Sequence, residues 1–294
     1  MLRVMRLAMA WAVGGLVGCG SQAITGADAS SADASSADAS LTGYLSLSGG
    51  SYTTCAVKAD GTPLCWGRND GGQTTPPASR YKQIAMGVNY MCGIKQDGTL
   101  ICWGGLTETP PTGTFSSVSA GDSHICALST GGTISCWGGN SFGQATPPAG
   151  TFLALSAGYN HTCALKLDQT VVCWGAAPAQ PTGTFQAIGE GDLYGCGLKP
   201  DGTVACWGDV TTVSKTPAGT FKSITAGGYH VCGIRTDSSI ACWGSAGEGE
   251  LAVPSGTFDL AGAGEYHTCA VRSNGSVACW GSNAHGESAP PPGA

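Results

Sequence analysis

From residue 44 onward the chain consists of short apolar stretches, separated by clusters of glycine, proline, asparagine and aspartate. Residues 115–138 are typical, with three such stretches at 115–121, 124–128 and 133–137. Stretches of this length, rich in β-branched and aromatic residues and bounded by turn residues, predict antiparallel β-strands. We name them strands a, b and c, and they predict an all-β protein.

The three-strand pattern recurs seven times. In each copy, strands b and c carry one cysteine apiece, ten positions apart, and Trp-Gly follows the second cysteine directly. The copies begin at Tyr44, Tyr81, Phe115, Phe152, Phe185, Phe221 and Phe258. The cysteine pairs are Cys55/Cys65, Cys92/Cys102, Cys126/Cys136, Cys163/Cys173, Cys196/Cys206, Cys232/Cys242 and Cys269/Cys279. The tryptophans stand 33 to 37 residues apart, which is typical of a repeat architecture.

The loop between strands b and c sets the register of each hairpin. In five repeats it is three residues long and ends in glycine, and such a loop needs a left-handed third residue. The loops 167–169 and 236–238 lack the glycine, so we expect strain or another turn type there. Counting outward from the loop places the paired cysteines opposite each other, within reach of a disulfide. Zinc sites use shorter cysteine spacings and exported proteins rarely keep many free thiols, so both alternatives are weaker.

Composition and charge narrow the class of protein. The 48 glycines and 15 prolines are spread through all the repeats, which suits turns in a β-protein rather than a disordered tract. A net charge of -6 without a basic cluster argues against charge-driven binding to nucleic acid or to an anionic membrane. Fourteen of the 15 cysteines pair by spacing, which indicates an oxidising compartment.

The N-terminus resembles a bacterial lipoprotein signal. Arg3 and Arg6 precede an apolar stretch that ends in Leu-Val-Gly before Cys19, the one cysteine without a partner. We predict a signal peptide over 1–18, a lipidated Cys19, and attachment to the outer membrane or cell surface. An ordinary signal peptide with a stray cysteine is the alternative. The segment 19–43 begins with Cys19 and continues largely in Ser-Ala-Asp repeats with almost no large apolar side chains, so we predict a disordered tether.

Residues 44–294 resemble the repeats of the regulator of chromosome condensation family. The shared phrase is Ala-Gly-x-x-His-x-x-Ala-Leu, a turn, and Val-x-x-Trp-Gly; Gly-x-Asn-x-x-Gly-Gln/Glu follows it at 67–73, 138–144 and 281–287. The resemblance implies a seven-bladed β-propeller. The repeats are shorter than the family norm, which implies blades of three strands plus a short or irregular fourth. Their paired cysteines resemble those of the extracellular propellers of plant crinkly-type receptor kinases. The family's nucleotide-exchange and chromatin roles do not fit an exported, acidic chain.

The connections between strands a and b differ from repeat to repeat, whereas the strands around them do not. Topology places these connections on the same face as the loops after Trp-Gly, with the b–c hairpins on the opposite face. Tyrosine, asparagine and acidic side chains are typical of recognition surfaces, although any one of them suits a solvated loop equally well. The predicted binding face consists of Tyr52, Asn89, Asp122, Tyr159, Asn160, Asp192, Tyr229, Glu265 and Tyr266.

Histidine stands two positions before the first cysteine in four repeats, and tyrosine or threonine stands there in the other three. The seven residues are His124, His161, His230, His267, Tyr90, Tyr194 and Thr53. Because tyrosine and threonine substitute, we interpret the histidines as structural donors to the backbone of a neighbouring blade, not as metal ligands. The carboxylates expected near the binding face are Asp122, Glu190, Asp192, Asp209, Glu248 and Glu265.

Without a nucleophile elbow or a phosphate loop, the sequence favours no catalytic chemistry. We therefore predict a monomeric, non-enzymatic, lipid-anchored propeller that binds a protein partner outside the cytoplasm, with no metal, no cofactor and no nucleic-acid partner. The alternative is a carbohydrate-binding or carbohydrate-cleaving propeller, in which Tyr159, Tyr229 and Tyr266 would contact the sugar. Cleavage would require a suitably spaced pair of carboxylates.

Overall fold

The structure is a computed structural model that describes residues 22–23, 43–105, 108–209, 215–245 and 247–294. Within those residues the fold is all-β, as predicted, and seven antiparallel sheets form a seven-bladed propeller with one repeat per blade. No helix in this part of the chain is long and apolar enough to cross a membrane. The strands of successive blades are β2 (Tyr44–Gly49), β3 (Thr53–Lys58), β4 (Pro63–Gly67); β5 (Tyr81–Met86), β6 (Tyr90–Lys95), β7 (Leu100–Gly104); β8 (Phe115–Ala120), β9 (His124–Ser129), β10 (Ile134–Gly138); β11 (Phe152–Ala157), β12 (His161–Lys166), β13 (Val171–Gly175); β14 (Ala187–Glu190), β15 (Tyr194–Leu198), β16 (Val204–Gly208); β17 (Phe221–Ala226), β18 (His230–Arg235), β19 (Ile240–Gly244); β20 (Phe258–Ala263), β21 (His267–Arg272), β22 (Val277–Gly281).

Within each blade the strands follow chain order, and the first strand lies innermost. The first strands contact each other around the ring, as β2 does with both β5 and β20. The third strand forms the outer edge, where the missing N–H of Pro63 in β4 breaks no ladder bond. In the described residues no further strand pairs with this outer edge, so the short repeat corresponds to a three-stranded blade rather than one with an irregular fourth strand.

A two-residue strand, β1 (Gln22–Ala23), joins the first sheet at its inner edge. It runs antiparallel to β2, opposite Leu47 and Ser46. These two residues belong to the segment predicted as a disordered tether. The signal peptide, Cys19 and the rest of the chain before residue 43 lie outside the described residues, so their interpretation stays a prediction.

The cysteine hairpins have the predicted register. The two cysteines of each pair are directly opposite and form a disulfide, with Cα atoms 4.0 to 4.1 Å apart. The seven disulfides are Cys55–Cys65, Cys92–Cys102, Cys126–Cys136, Cys163–Cys173, Cys196–Cys206, Cys232–Cys242 and Cys269–Cys279. Every predicted cysteine pair is therefore confirmed as a cross-strand disulfide within one blade.

The two cysteines of a pair differ in burial, which their spacing along the chain does not reveal. The first cysteine lies on the middle strand and is fully buried in all seven blades. The second lies on the outer strand and is only partly buried in six blades, at Cys65, Cys102, Cys136, Cys206, Cys242 and Cys279. Cys173 is the buried exception. Each disulfide thus fastens the outer edge of a blade to its buried middle strand.

The hairpin loops keep one conformation in all seven blades. The third loop residue is left-handed in every hairpin, with φ of 82° to 85° at the five glycines. Gln169 and Ser238 occupy this position at φ 65° and 69°. The turn type is therefore unchanged where glycine is missing, and the backbone carries the strain.

The hydrophobic core is divided into seven clusters, and each cluster is shared by two neighbouring blades. At the closure of the ring, Tyr44, Leu47 and Trp66 of the first blade pack on Leu260 and Val271 of the last. The last repeat thus closes the ring by packing on the first, in the same way as every other pair of neighbours.

A side-chain contact accompanies the packing at each joint between blades, and its type depends on the residue that opens the second strand. His124, His230 and His267 each place Nε2 at 2.6 to 2.7 Å from a threonine hydroxyl of the next blade. Where the next blade has isoleucine or valine in place of that threonine, Tyr90 or Tyr194 instead donates to two of its backbone carbonyls. The predicted backbone acceptor is therefore correct for the tyrosines, whereas these histidines use a hydroxyl. The remaining joints pair Thr53 with the sulfur of Met86 and His161 with Glu190.

A second set of bonds joins an indole of one blade to the loop that follows the preceding blade. The donor–acceptor pairs are Trp66–Glu287, Trp103–Gln73, Trp174–Gln144 and Trp280–Glu250, each from Nε1 to a backbone oxygen at 2.7 to 2.9 Å. The acceptor residue ends the Gly-x-Asn-x-x-Gly-Gln/Glu phrase and is buried in all four loops. Glu250 marks a fourth copy of this loop, which the sequence pattern missed because alanine replaces the asparagine at position 246.

Replacing Gln169 or Ser238 with glycine is expected to raise the free energy of unfolding by about 0.5–1 kcal/mol, because glycine adopts a left-handed φ without a steric clash. Thermal denaturation of the disulfide-intact protein measures the change. The reciprocal variant Gly132→Gln serves as the control and should lose stability to a similar extent. Unchanged melting temperatures in all three variants would show that the loop backbone is not strained.

Candidate functional site

The connections between the first and second strands define one face of the propeller, which we call the loop face. As predicted, the loops after Trp-Gly share it. Each loop begins with a backbone hydrogen bond to the second residue of the connection, as Arg68 N donates to Tyr52 O (2.9 Å) and Ser282 N to Tyr266 O (2.8 Å). The cysteine hairpins lie at the other end of the blades, on what we call the hairpin face.

A recess of about 50 Å³ lies at the centre of the loop face, where all seven blades meet. Each blade contributes the first residue of its connection, namely Ser51, Val88, Asp122, Tyr159, Asp192, Gly228 and Glu265. Four of the predicted binding residues are therefore brought together here. A recess of this size admits the end of one side chain, since pockets for drug-sized ligands usually span about 300–1,000 Å³.

The recess is acidic. It is lined by the carboxylates of Asp122, Asp192 and Glu265, and no lysine or arginine is among its lining residues. Burial raises the pKa of Asp122 and of Asp192, and the nearby charge of Glu265 raises both further. Tyr159 has a raised pKa because the charge of Asp122 disfavours a phenolate beside it. The recess therefore disfavours the charged forms of Asp122 and Asp192.

An aromatic run extends across three blades beside the recess. Tyr229 and Tyr266 are stacked, with ring centroids 5.7 Å apart and an angle of 26° between the planes. Tyr52 follows at 6.4 Å from Tyr266, and His285 meets the ring of Tyr52 edge-on at 4.9 Å. Three residues predicted from separate repeats thus form one continuous surface.

The tyrosine hydroxyls tie this run to the acidic recess. Hydrogen bonding to Asp192 raises the pKa of Tyr229 to about 12. Hydrogen bonding to Glu265 likewise raises the pKa of Tyr266. Both tyrosines therefore remain protonated donors at neutral pH and hold carboxylates of the recess in place.

The predicted binding face left out two loop-face residues, Arg68 and His285. It also included two residues, Asn89 and Asn160, that contribute backbone hydrogen bonds. Arg68, which was not predicted, has its guanidinium 6.0 Å from the ring centroid of Tyr52 and forms an ion pair with Asp70. Like His285, Arg68 comes from a loop after Trp-Gly, and the shared face of those loops was the signal that could have identified both. Asn89 and Asn160 were predicted, and their described hydrogen bonds on this face are made by backbone carbonyls.

Glu190 does not reach the loop face, contrary to expectation. It is fully buried between the fourth and fifth blades, where its Oε2 lies 3.1 Å from Nε2 of His161. Gly195 occupies the position that holds threonine at the His–Thr joints, and a Cβ there would lie 2.2 Å from Oε2 of Glu190. The carboxylate therefore takes the place of the missing hydroxyl, and burial raises its pKa to about 7.

One group of side chains at this joint has the residue types of a metal site. His161, Cys163 and Glu190 bring their potential ligand atoms within 4.8 Å of one another. The sulfur of Cys163 is bonded to Cys173, however, so it offers no thiolate to a metal ion. The arrangement is therefore a structural joint in which the carboxyl group of Glu190 is the buried hydrogen-bond partner of His161.

Comparison with protein families finds five stretches that match the regulator of chromosome condensation (RCC1) repeat. The matched residues are 45–73, 115–144, 152–176, 221–250 and 261–287. No curated protein sequence matches the chain. The matches cover both ends of the ring, and they include the loop of Glu250 as well as those of Gln73, Gln144 and Glu287.

Solved structures with the same architecture include two plant receptor ectodomains. The entire ectodomain of the Physcomitrella patens receptor kinase CR4 is 26% identical, with a TM-score of 0.70, over 80% of this chain and 71% of that one. The CRINKLY WD40 ectodomain of the Arabidopsis thaliana receptor kinase ACR4 is 28% identical, with a TM-score of 0.67, over 78% and 90%. Prp20p from Saccharomyces cerevisiae is 17% identical, with a TM-score of 0.62, over 72% and 74%, which shows a shared fold.

The variant Glu190→Gln is expected to reduce the pH dependence of stability. The pKa of Glu190 in the folded protein, about 7, exceeds the ordinary value of 4.5, so folding favours the protonated form. Its stabilising contribution is complete below the ordinary pKa and is lost as the pH rises through the folded pKa, by at most about 3 kcal/mol. Denaturant unfolding at about pH 5 and about pH 8 compares the variant with the wild type. The same loss in both proteins would contradict this account.

Proposed function

This chain is an RCC1-like seven-bladed propeller, and from that premise we propose that it is a non-enzymatic, lipid-anchored module that binds a protein partner outside the cytoplasm through its loop face. The observation that carries the proposal is the convergence of seven different connections on one recess, within a scaffold whose strands and disulfides repeat. The crystal structure of Prp20p was presented together with its binding properties to Gsp1p and histones. That description supports the use of this fold as a protein-binding scaffold.

Two features support a location outside the cytoplasm. Seven disulfides suit an oxidising compartment, where such bonds form and persist. The two receptor kinase structures similar to this chain are ectodomains. Cys19, at the end of a signal-like stretch, supports attachment through a lipid.

The carbohydrate alternative has less support. Aromatic side chains bind a sugar ring through an open face, whereas Tyr229 and Tyr266 stack on each other, so each ring covers part of one face of the other. The central recess, at about 50 Å³, is smaller than a sugar-binding pocket. The tyrosine edges and the carboxylates beside them favour contact with a polypeptide.

Site-specific photo-cross-linking tests protein binding at the loop face. Leu193 on the loop face is 63% exposed, and Leu167 on the hairpin face is 64% exposed, so they form a matched pair. With a photoreactive amino acid at either position, irradiation of the native envelope should give a discrete protein adduct from position 193. Because the partner binds the loop face, position 167 should not give this adduct.

Competition provides the control for this experiment. An excess of the unmodified protein should remove the adduct at position 193, because both proteins compete for the same partner. Identical adducts at both positions, or an adduct that resists competition, would contradict binding at the loop face.

Lipid attachment has a separate test. Cells supplied with an alkyne-labelled fatty acid should label the wild-type protein, and the variant Cys19→Ala should carry no label, because the thioether and amide sites of the lipid are on that residue. Label that persists in the variant, or is absent from the wild type, would contradict the predicted anchor.

A further inference from the structure

Charge is distributed unequally between the two faces of the propeller. Eleven lysines and arginines follow residue 43, and nine of them lie at or next to the hairpin face. These nine are Lys58, Arg80, Lys82, Lys95, Lys166, Lys199, Lys222, Arg235 and Arg272. Aspartates of the hairpin loops accompany them, as in the ion pairs Arg80–Asp60 and Lys95–Asp97, so the hairpin face carries both signs. The sequence shows no basic cluster because the repeat separates these residues along the chain.

The loop face lacks this balance. Asp122, Asp192 and Glu265 surround the recess, and no basic side chain lines it. Arg68 contacts the aromatic run but is already paired with Asp70. Carboxylates that share a half-buried site repel one another, and a cation supplied from outside would relieve that repulsion.

The side chains around the recess suit a cation at the end of an apolar stem. Tyr159 is 43% exposed at its rim, and Leu193 in the next connection is 63% exposed. Aromatic faces attract guanidinium and ammonium groups, and the stems of arginine and lysine pack on apolar surface. A recess of about 50 Å³ matches one such head group better than a whole peptide or a bulky ligand.

We propose that the loop face docks a cationic segment of a partner polypeptide, with one arginine or lysine side chain in the recess between Asp122, Asp192 and Glu265, and with flanking apolar side chains on Tyr159 and Leu193. This inference rests on the proposed function, because it specifies the chemistry of the protein that the loop face binds. Complementary charge speeds association with such a segment and disfavours acidic partners.

A labelled peptide in which arginine alternates with leucine and glycine serves as the probe. It is titrated against the exported chain carrying Cys19→Ala, with fluorescence anisotropy as the readout. The arginine peptide should bind saturably, whereas a peptide with glutamate in place of arginine should not. The triple variant Asp122→Asn/Asp192→Asn/Glu265→Gln should bind at least about tenfold more weakly. Its melting temperature should equal or exceed that of the wild type, because burial disfavours the charges that it removes.

The triple variant Asp97→Asn/Asp168→Asn/Asp201→Asn is the matched control. It changes net charge by the same amount on the hairpin face, and asparagine retains the Oδ1 that accepts a hydrogen bond from the threonine two residues later. It should bind the peptide as the wild type does. Equal loss in both triple variants, or wild-type affinity in the loop-face variant, would overturn the proposal. Displacement of the peptide by an equal concentration of Ca²⁺ would identify a free cation as the occupant and would overturn it too.

The cross-link at position 193 separates this proposal from the proposed function. If the loop-face charge variant still forms the competable adduct, protein binding stands and the cationic chemistry is wrong. If the adduct is lost in that variant but kept in the hairpin-face control, both are supported. If no adduct forms even with the wild-type carboxylates, the proposed function itself fails.

Discussion

The contact between neighbouring blades is the constraint on which the rest of the structure depends. A blade of three short strands has no core of its own, and each of the seven apolar clusters is complete only when the next blade is in place. The same contact closes the ring, where Leu47 packs on Leu260. Each disulfide acts within a blade, so it keeps the hairpin in the shape that the neighbours require but does not hold neighbours together.

The close approach of the blades also determines the size of the recess. Each first strand leads into a glycine just before the variable connection, and a Cβ on Gly121 would lie 2.3 Å from the carbonyl oxygen of Gly158. Gly158 stands in the same relation to Gly191, at 2.4 Å. Any larger residue would push the blades apart, because such distances are too short for two non-bonded heavy atoms. Seven connections therefore converge tightly enough to leave room for a single side-chain head.

Features that depend on residues close together in the sequence could be predicted from the sequence alone. The hairpin register follows from loop length and the alternation of side chains, which is why Cys126 faces Cys136. The shared face of the connections and of the loops after Trp-Gly follows from strand direction. The recess and the aromatic run could not be derived in this way. Tyr52 meets Tyr266 because the ring closes, and that contact joins residues from opposite ends of the repeat array.

Glu190 shows why proximity along the chain misled the prediction. It stands two positions before Asp192, so both carboxylates were expected near the binding face. Glu190 is the last residue of β14 and is buried in the joint, whereas Asp192 belongs to the connection and lines the recess. The joint needs this glutamate because Gly195 supplies no hydroxyl to His161. His161 lies in the fourth blade, and Glu190 and Gly195 lie in the fifth, so their contact becomes evident only when the two blades are placed side by side.

The joints and the loop face are coupled through adjacent positions. The second residue of a connection is followed directly by the residue that bonds the next blade, as Tyr229 is followed by His230 and Tyr266 by His267. The buried bond therefore fixes the backbone from which the exposed tyrosine projects. The joints use different donors and acceptors at one position of the repeat, so the ring accommodates sequence changes inside while every blade keeps its connection on the loop face. A scaffold of this kind holds the acidic recess and the aromatic run in one arrangement before any partner arrives, which lowers the entropic cost of binding.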